Sequence, residues 1–395
     1  MRLAERMSRL GTETAFEVLA EVKQLEAQGR QIISFAIGEP DFDTPDNVKQ
    51  AGIEAINSNE THYGPSAGIM PLREAIASYI GSTRGISVRP EEVVVTPGAK
   101  PIIFHSILAL VDPGDEVIYP NPGFPIYESV INFVGGVPVP MPLLEERDFR
   151  FDIDHLRSVV NEKTKLLILN SPQNPTGGVL TKEDLAAVAE LAMKYDFMVL
   201  SDEVYSRLVF DGEFHSIASI PGMKERTIIL DGFSKTYAMT GWRLGYGVMP
   251  EELAVHVARI ETNCESCTAT FTQIAGVEAL TGPQDASAAM AAEFKRRRDF
   301  IVAGLNDIEG ISCRTPGGAF YAFPNVTEAV RKLGLKDANE LARKLLYEGN
   351  VAVLGRTCFG TRNVGENEEY VRLSYATSME NIKEGLARIK AVIEK

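Results

Sequence analysis

Cysteine is scarce: Cys264, Cys267, Cys313 and Cys358 are the only four in 395 residues. So few cannot staple a chain of this length, and they suit a reducing, cytoplasmic location. Cys264 and Cys267 form a C-x-x-C pair, but a zinc ribbon needs a second pair, and Cys313 and Cys358 lie far apart. Partly buried thiols are expected there, and no metal. Positive charge is also in deficit. With 40 Lys and Arg against 54 Asp and Glu, the formal charge of -14 repels phosphate backbones and anionic lipid headgroups alike, which argues against nucleic-acid and membrane partners. No stretch approaches the roughly 18 consecutive apolar residues of a membrane span; Ile102 to Val111 is short and holds His105 and Ser106. Arg2, Arg6 and Arg9 hint at an import peptide, but Glu5 and Glu13 interrupt them and no apolar core follows. The 33 glycines contain no G-x-G-x-x-G, which removes a nicotinamide dehydrogenase, and neither length nor charge is spare for a basic helix-turn-helix module.

What the chain does have is length for two cores and one repeated grammar. Ala15, Val18, Leu19, Val22 and Leu25 recur at helical spacing and Gly29 closes the run, so an amphipathic helix precedes any strand. Gly38-Glu-Pro-Asp-Phe-Asp-Thr-Pro45 then reads as an irregular crossing segment. Between Val93 and Val248, short β-branched runs alternate with helical patterns. Seven such runs predict a seven-stranded, mainly parallel sheet with helices on both faces; the last, Leu244 to Val248, follows too closely for a helical crossover and is expected to be antiparallel. After Pro283 the pattern shifts to a long charged helix over Glu293 to Asn306, short strands and a closing helix. The predicted fold class is α/β: a large domain over 46–283, and a smaller α+β domain from 1–45 and 284–395.

Ligands of an open α/β sheet bind beyond the carboxyl ends of its strands. There the chain places Ser171-Pro-Gln-Asn174-Pro-Thr-Gly177, then Asp202-Glu-Val-Tyr205, then Gly232-Phe-Ser234-Lys235. A fourth strand runs into Pro97-Gly98-Ala99-Lys100 and an apolar helix, the turn and helix start that cradle phosphate. A lysine amine, a carboxylate, a phenol, an amide and a phosphate cup together suit pyridoxal phosphate.

Ser234-Lys-Thr-Tyr-Ala-Met-Thr-Gly241-Trp-Arg243-Leu-Gly245 resembles the S-K-x5-G-x-R-x-G pyridoxal-lysine signature of the class I aminotransferases, fold type I. Asn174-Pro-Thr-Gly177, Asp202-x-x-Tyr205 and Tyr370-Val-Arg372-Leu-Ser-Tyr-Ala376 follow in that family's order, so the likeness spans nearly the whole chain. The resemblance implies pyridoxal 5'-phosphate on Lys235 as a Schiff base, with Lys235 then moving a proton at the substrate as general base. It implies Asp202 at the pyridine nitrogen, Tyr205 and Asn174 at the phenolate oxygen, and Phe124 stacked on the ring. Asp202 alone would read as a helix N-cap, with Tyr205 one helical turn on. Phosphate would fall to the amides of Ala99 and Lys100, to Ser234 and Arg243, and to Tyr63 contributed by the neighbouring subunit of a homodimer. Arg372 would grip the α-carboxylate, helped by Asn174 and the Gly38 amide.

The implied activity is transfer of an amino group between an L-amino acid and a 2-oxo acid by a ping-pong mechanism. Lys100 stands where aspartate-type relatives read a distal carboxylate, which puts aspartate and 2-oxoglutarate first. Aromatic amino acids, alanine, or a β-lyase or cyclase reaction remain open on the same residues. In Leu354-Gly355-Arg356-Thr-Cys-Phe-Gly360, Arg356 replaces a small residue and is either a second acid reader or a salt bridge at the cleft mouth.

Overall fold

A computed structural model describes all 395 residues. One large sheet dominates it. Across the sheet the strands run Val93–Thr96, Gly245–Val248, Thr227–Gly232, Met198–Asp202, Thr164–Asn170, Glu116–Asn121, Val137–Leu144 and Arg150–Phe151. Five neighbouring strands, from Thr227–Gly232 to Val137–Leu144, are parallel, and Gly245–Val248 is antiparallel to both its neighbours, as its short connection predicts. The sheet has eight members rather than seven. The additional strand, Arg150–Phe151, pairs antiparallel with Leu143 and Leu144, and two residues are too few to show any periodicity in sequence.

The strands are apolar throughout because both faces are covered. Leu166 and Ile168 pack on one side with Ile103 and Ile107 of the helix Lys100–Leu110, whereas Leu167 and Leu169 pack on the other with Leu185 and Val188 of Lys182–Tyr195. Alternation of side chains along a strand requires this. Helix Lys182–Tyr195 starts where Thr181 and Asp184 cap one another's amides. Helix Met70–Arg84 stops at Gly85, which adopts the left-handed conformation.

Outside this sheet, Ile33–Ser34 pairs in parallel with Val351–Ala352, so the start of the chain is joined to its last third. Helix Thr14–Ala27 docks through Val22 and Leu25 into a core that also holds Ala352 and Leu354. A three-stranded antiparallel sheet of Tyr321–Ala322, Val371–Ser374 and Leu354–Gly355 carries Arg372. The charged helix is longer than its sequence pattern suggests, Asp285–Asn306. No helix is long and apolar enough to cross a membrane.

A buried charge network lies under the sheet's carboxyl edge. Arg84 Nε donates to Glu203 Oε2 at 2.8 Å and its Nη2 to Asp231 Oδ2 at 3.2 Å, with all three side chains almost wholly buried. Burial pushes the Asp231 carboxyl up to about 7, against the pull of Arg84. Removing one member of such a set leaves uncompensated charge. Arg84→Met is therefore expected to lower unfolding free energy by about 3–5 kcal/mol, read from urea midpoints; a loss under about 1 kcal/mol contradicts a structural role.

Candidate active site

Main-chain pairing aligns the site. Asn170 is in register with Asp202, and Asp202 with Leu230; two residues on, Gly232 pairs with Gly245, which also pairs with Thr96. The residues that follow these positions open into one cavity of about 440 Å³, within the roughly 300–1,000 Å³ usual for small-molecule sites. Lys235, Asp202, Tyr205, Asn174, Arg372 and Phe124 all line it. So do Ala99, Lys100, Ser234, Arg243 and Gly38. Tyr63 does not; it is 90 % exposed and far from enclosed by its own chain.

Asp202 is the last residue of its strand and is 5 % exposed. No helix follows, so it caps none: Val204 N–H donates to Asp202 Oδ1 at 3.4 Å within a turn, and Tyr205 leaves that turn rather than a helix. Tyr127 Oη donates to Asp202 Oδ2 at 2.6 Å. Burial nonetheless pushes the carboxyl up to about 6, because one hydroxyl and one long amide contact replace water poorly. The carboxylate is thus primed for a cation or a protonated ring nitrogen.

Lys235 sits in the short helix Phe233–Thr236, and its Nζ donates to the Gly38 carbonyl at 2.7 Å. Burial lowers its pKa to about 8; Glu39 opposes the shift, while Arg372, Arg243 and Lys100 assist it. Gly38 is required there, since a Cβ would collide with the Tyr321 hydroxyl. Tyr321 itself hydrogen-bonds Tyr205 hydroxyl to hydroxyl at 2.7 Å.

Arg372 is buried, and its guanidinium lies over the rings of Tyr321 and Phe359 at 4.5 and 4.9 Å. It donates to Asn174 Oδ1 at 2.9 Å and to the Ala36 carbonyl. No carboxylate pairs with it, and its Nε has no partner. Burial lowers its pKa, as expected for a charge awaiting an anion. Arg243, exposed and in the left-handed conformation, likewise donates only to carbonyls, Thr240 at 2.8 Å and Pro97 at 3.5 Å. Gly98, also at positive φ, leaves room for that guanidinium where a Cβ would strike it. Arg356 has a different fate. It is fully buried, bonded to Glu366 at 2.5 and 2.8 Å and to Asn121 Oδ1 at 3.0 Å, so it reads no substrate and does not stand at the cleft mouth.

This donor set fits pyridoxal phosphate. A buried carboxylate lies in the same cavity as an unpaired Arg243, the Ser234 hydroxyl and the start of the helix Lys100–Leu110, with a lysine amine of lowered pKa among them. Comparison with known proteins agrees. The family described as "Aminotransferase class I and II" matches residues 30–389. The chain belongs to that family. This aminotransferase is 37% identical to the "Aspartate aminotransferase" of Bacillus subtilis (strain 168), over all of both chains. It is 41% identical to "Aromatic-amino-acid aminotransferase 2" of Thermococcus litoralis, covering 93% of this chain and 94% of the relative. Its fold superimposes on the crystal structure of an aspartate aminotransferase from Rhizobium meliloti with a TM-score of 0.93, at 35% identity, covering 100% and 99% of the two chains. The family uses pyridoxal phosphate and acts on small-molecule substrates, amino acids and oxo acids.

Sequence reading of the aminotransferase missed Tyr127, Tyr321 and Glu13 as lining residues. Tyr127 had a faint signal, three residues after Phe124 in one motif. The lysine offers a check on the site's electrostatics. Because its folded pKa lies below its ordinary 10.5, ionisation of Lys235 costs stability below about pH 8, and the cost disappears as pH rises from 8 to 10.5. Cofactor-free Lys235→Met should therefore be more stable than the parent at pH 7 by about 3 kcal/mol, with the gap closing towards pH 10.5. A gap that does not change with pH contradicts the assignment.

Proposed function

We propose that this aminotransferase uses pyridoxal 5'-phosphate on Lys235 to exchange amino groups between L-aspartate and 2-oxoglutarate in a ping-pong reaction. The observation that carries the reading is Arg372: a buried guanidinium without an acidic partner, lining the same cavity as Lys235. A planar fork held over Tyr321 and Phe359 suits a substrate carboxylate.

The cofactor, when bound, supplies an aldehyde for the amine and a ring that accepts electrons from the substrate Cα. Asp202, its carboxyl already raised by burial, would hold the ring nitrogen and keep a proton there. Tyr205 and Asn174 would donate to the phenolate oxygen. Lys235, its pKa lowered by burial to about 8, would take the Cα proton in its neutral form and return it at the adjoining carbon. Phe124 would cover the ring; the Ala99 and Lys100 amides, Ser234 and Arg243 would hold the phosphate. Arg372 binds the α-carboxylate with Asn174 and the Gly38 amide, and Lys100 reads the distal one. Aspartate comes first because Lys100 is the remaining ammonium in the cavity once Lys235 is assigned and Arg356 is committed to Glu366.

The exposed ring of Tyr63 supports a homodimer in which the partner subunit's Tyr63 completes each phosphate site. Pairing of Ile33–Ser34 with Val351–Ala352 supports a small domain of 1–45 and 284–395 closing on a large one of 46–283. Four free thiols support a cytoplasmic setting.

A half-reaction panel tests the function: the cofactor-loaded enzyme mixed with one amino acid should yield one oxo acid per site and aminated cofactor. Catalytic ammonia release would instead establish β-elimination. Arg372→Ala should raise KM for every amino acid by roughly 100-fold, as expected from loss of a charge-assisted bidentate contact. A loss confined to one side-chain class would remove Arg372 as the α-carboxylate reader.

A further inference from the structure

The residue before the first long helix does not behave as a cap. Glu13 occupies the N-cap position of Thr14–Ala27, yet its side chain makes no bond to the helix amides. Its carboxylate reaches into the active-site cavity and pairs with the Lys100 ammonium, which also lies 5.2 Å from the centroid of Phe124. The Glu13 side chain is only 18 % exposed in this position. Glu13 and Lys100 line the same cavity as Arg372 and Tyr321, so the pair stands within the substrate region.

The segment that carries it is lightly held. Residues 1–11 are exposed, Gly11 N–H donates to Ser129 Oγ at 2.9 Å, and the following helix buries only Val22 and Leu25. Segments with so few apolar contacts open at small cost.

We propose that Glu13 is a specificity-determining residue: it acts as a resident counter-ion that a substrate's distal carboxylate must displace from Lys100. The inference rests on Lys100 as the reader of that carboxylate. An intramolecular anion competes at an effective concentration of order millimolar, so it raises KM for dicarboxylates. Neutral side chains leave the Glu13–Lys100 pair intact and meet a cavity with no uncompensated charge at that end. The same pocket then accepts both substrate classes, with Glu13 setting the balance between them.

The test compares kcat/KM for aspartate with that for phenylalanine in Glu13→Gln, Lys100→Met and the double variant, alongside calorimetric binding of succinate as an unreactive dicarboxylate. Glu13→Gln should raise the aspartate-to-phenylalanine ratio roughly 5- to 10-fold, mainly through KM, and tighten succinate similarly. Lys100→Met should lower the ratio, and adding Glu13→Gln to it should change nothing further. Glu13→Ala serves as the second variant, since it removes the charge without an amide. A ratio lowered by Lys100→Met but unmoved by both Glu13 variants overturns the role of Glu13 alone. A ratio unmoved by Lys100→Met overturns the reading of Lys100 on which it rests.

Discussion

The buried carboxylate of Asp202 is the constraint around which the rest of the site is arranged. Strand pairing places it between Asn170 and Leu230 at the carboxyl edge of a sheet covered on both faces, where water cannot solvate it. Ionised carboxylates in such places need compensation. Tyr127 supplies one short hydrogen bond, and the remaining deficit appears as a carboxyl pushed up to about 6. A protonated ring nitrogen placed against it would recover what burial costs, and the same contact would keep the ring electron-poor. Binding and activation of such a cofactor would then be one electrostatic event.

The cations obey the complementary rule. Lys235, Arg243 and Arg372 open into one cavity, and none of the three forms an ion pair within the chain. Burying Lys235 and Arg372 there costs free energy, as their depressed pKa values show. The protein's other buried arginines are matched: Arg84 to Glu203 and Asp231, Arg297 to Asp41 and Glu293, Arg298 to Asp211 and Asp299, Arg356 to Glu366. That contrast separates scaffold charge from site charge. A net charge of -14 disfavours polyanions at the surface, while the cations gathered in the cleft favour small anions there.

Much of this was legible from the residues in order. Continuous apolar strands, the turn residues behind them and the lysine signature located Lys235, Asp202, Asn174 and Arg372 because each lies inside a local pattern. The contacts that refine them are non-local. Tyr205 meets Tyr321 across 116 residues, and Lys100 meets Glu13 across 87, so no spacing rule reaches either. Local rules also misled: Asp after a strand reads as a helix cap, but in the folded chain a turn follows it. Arg356 carried two readings because its sequence says nothing about Glu366, ten residues on, folding back to bind it.

The account turns on which lysine carries the cofactor. Borohydride treatment of the pyridoxal-phosphate-loaded protein, followed by peptide mass mapping, reads that directly. The predicted result is a single modified site at Lys235, absent from Lys235→Ala. Modification at Lys100 instead, or a label spread over surface lysines, would contradict it.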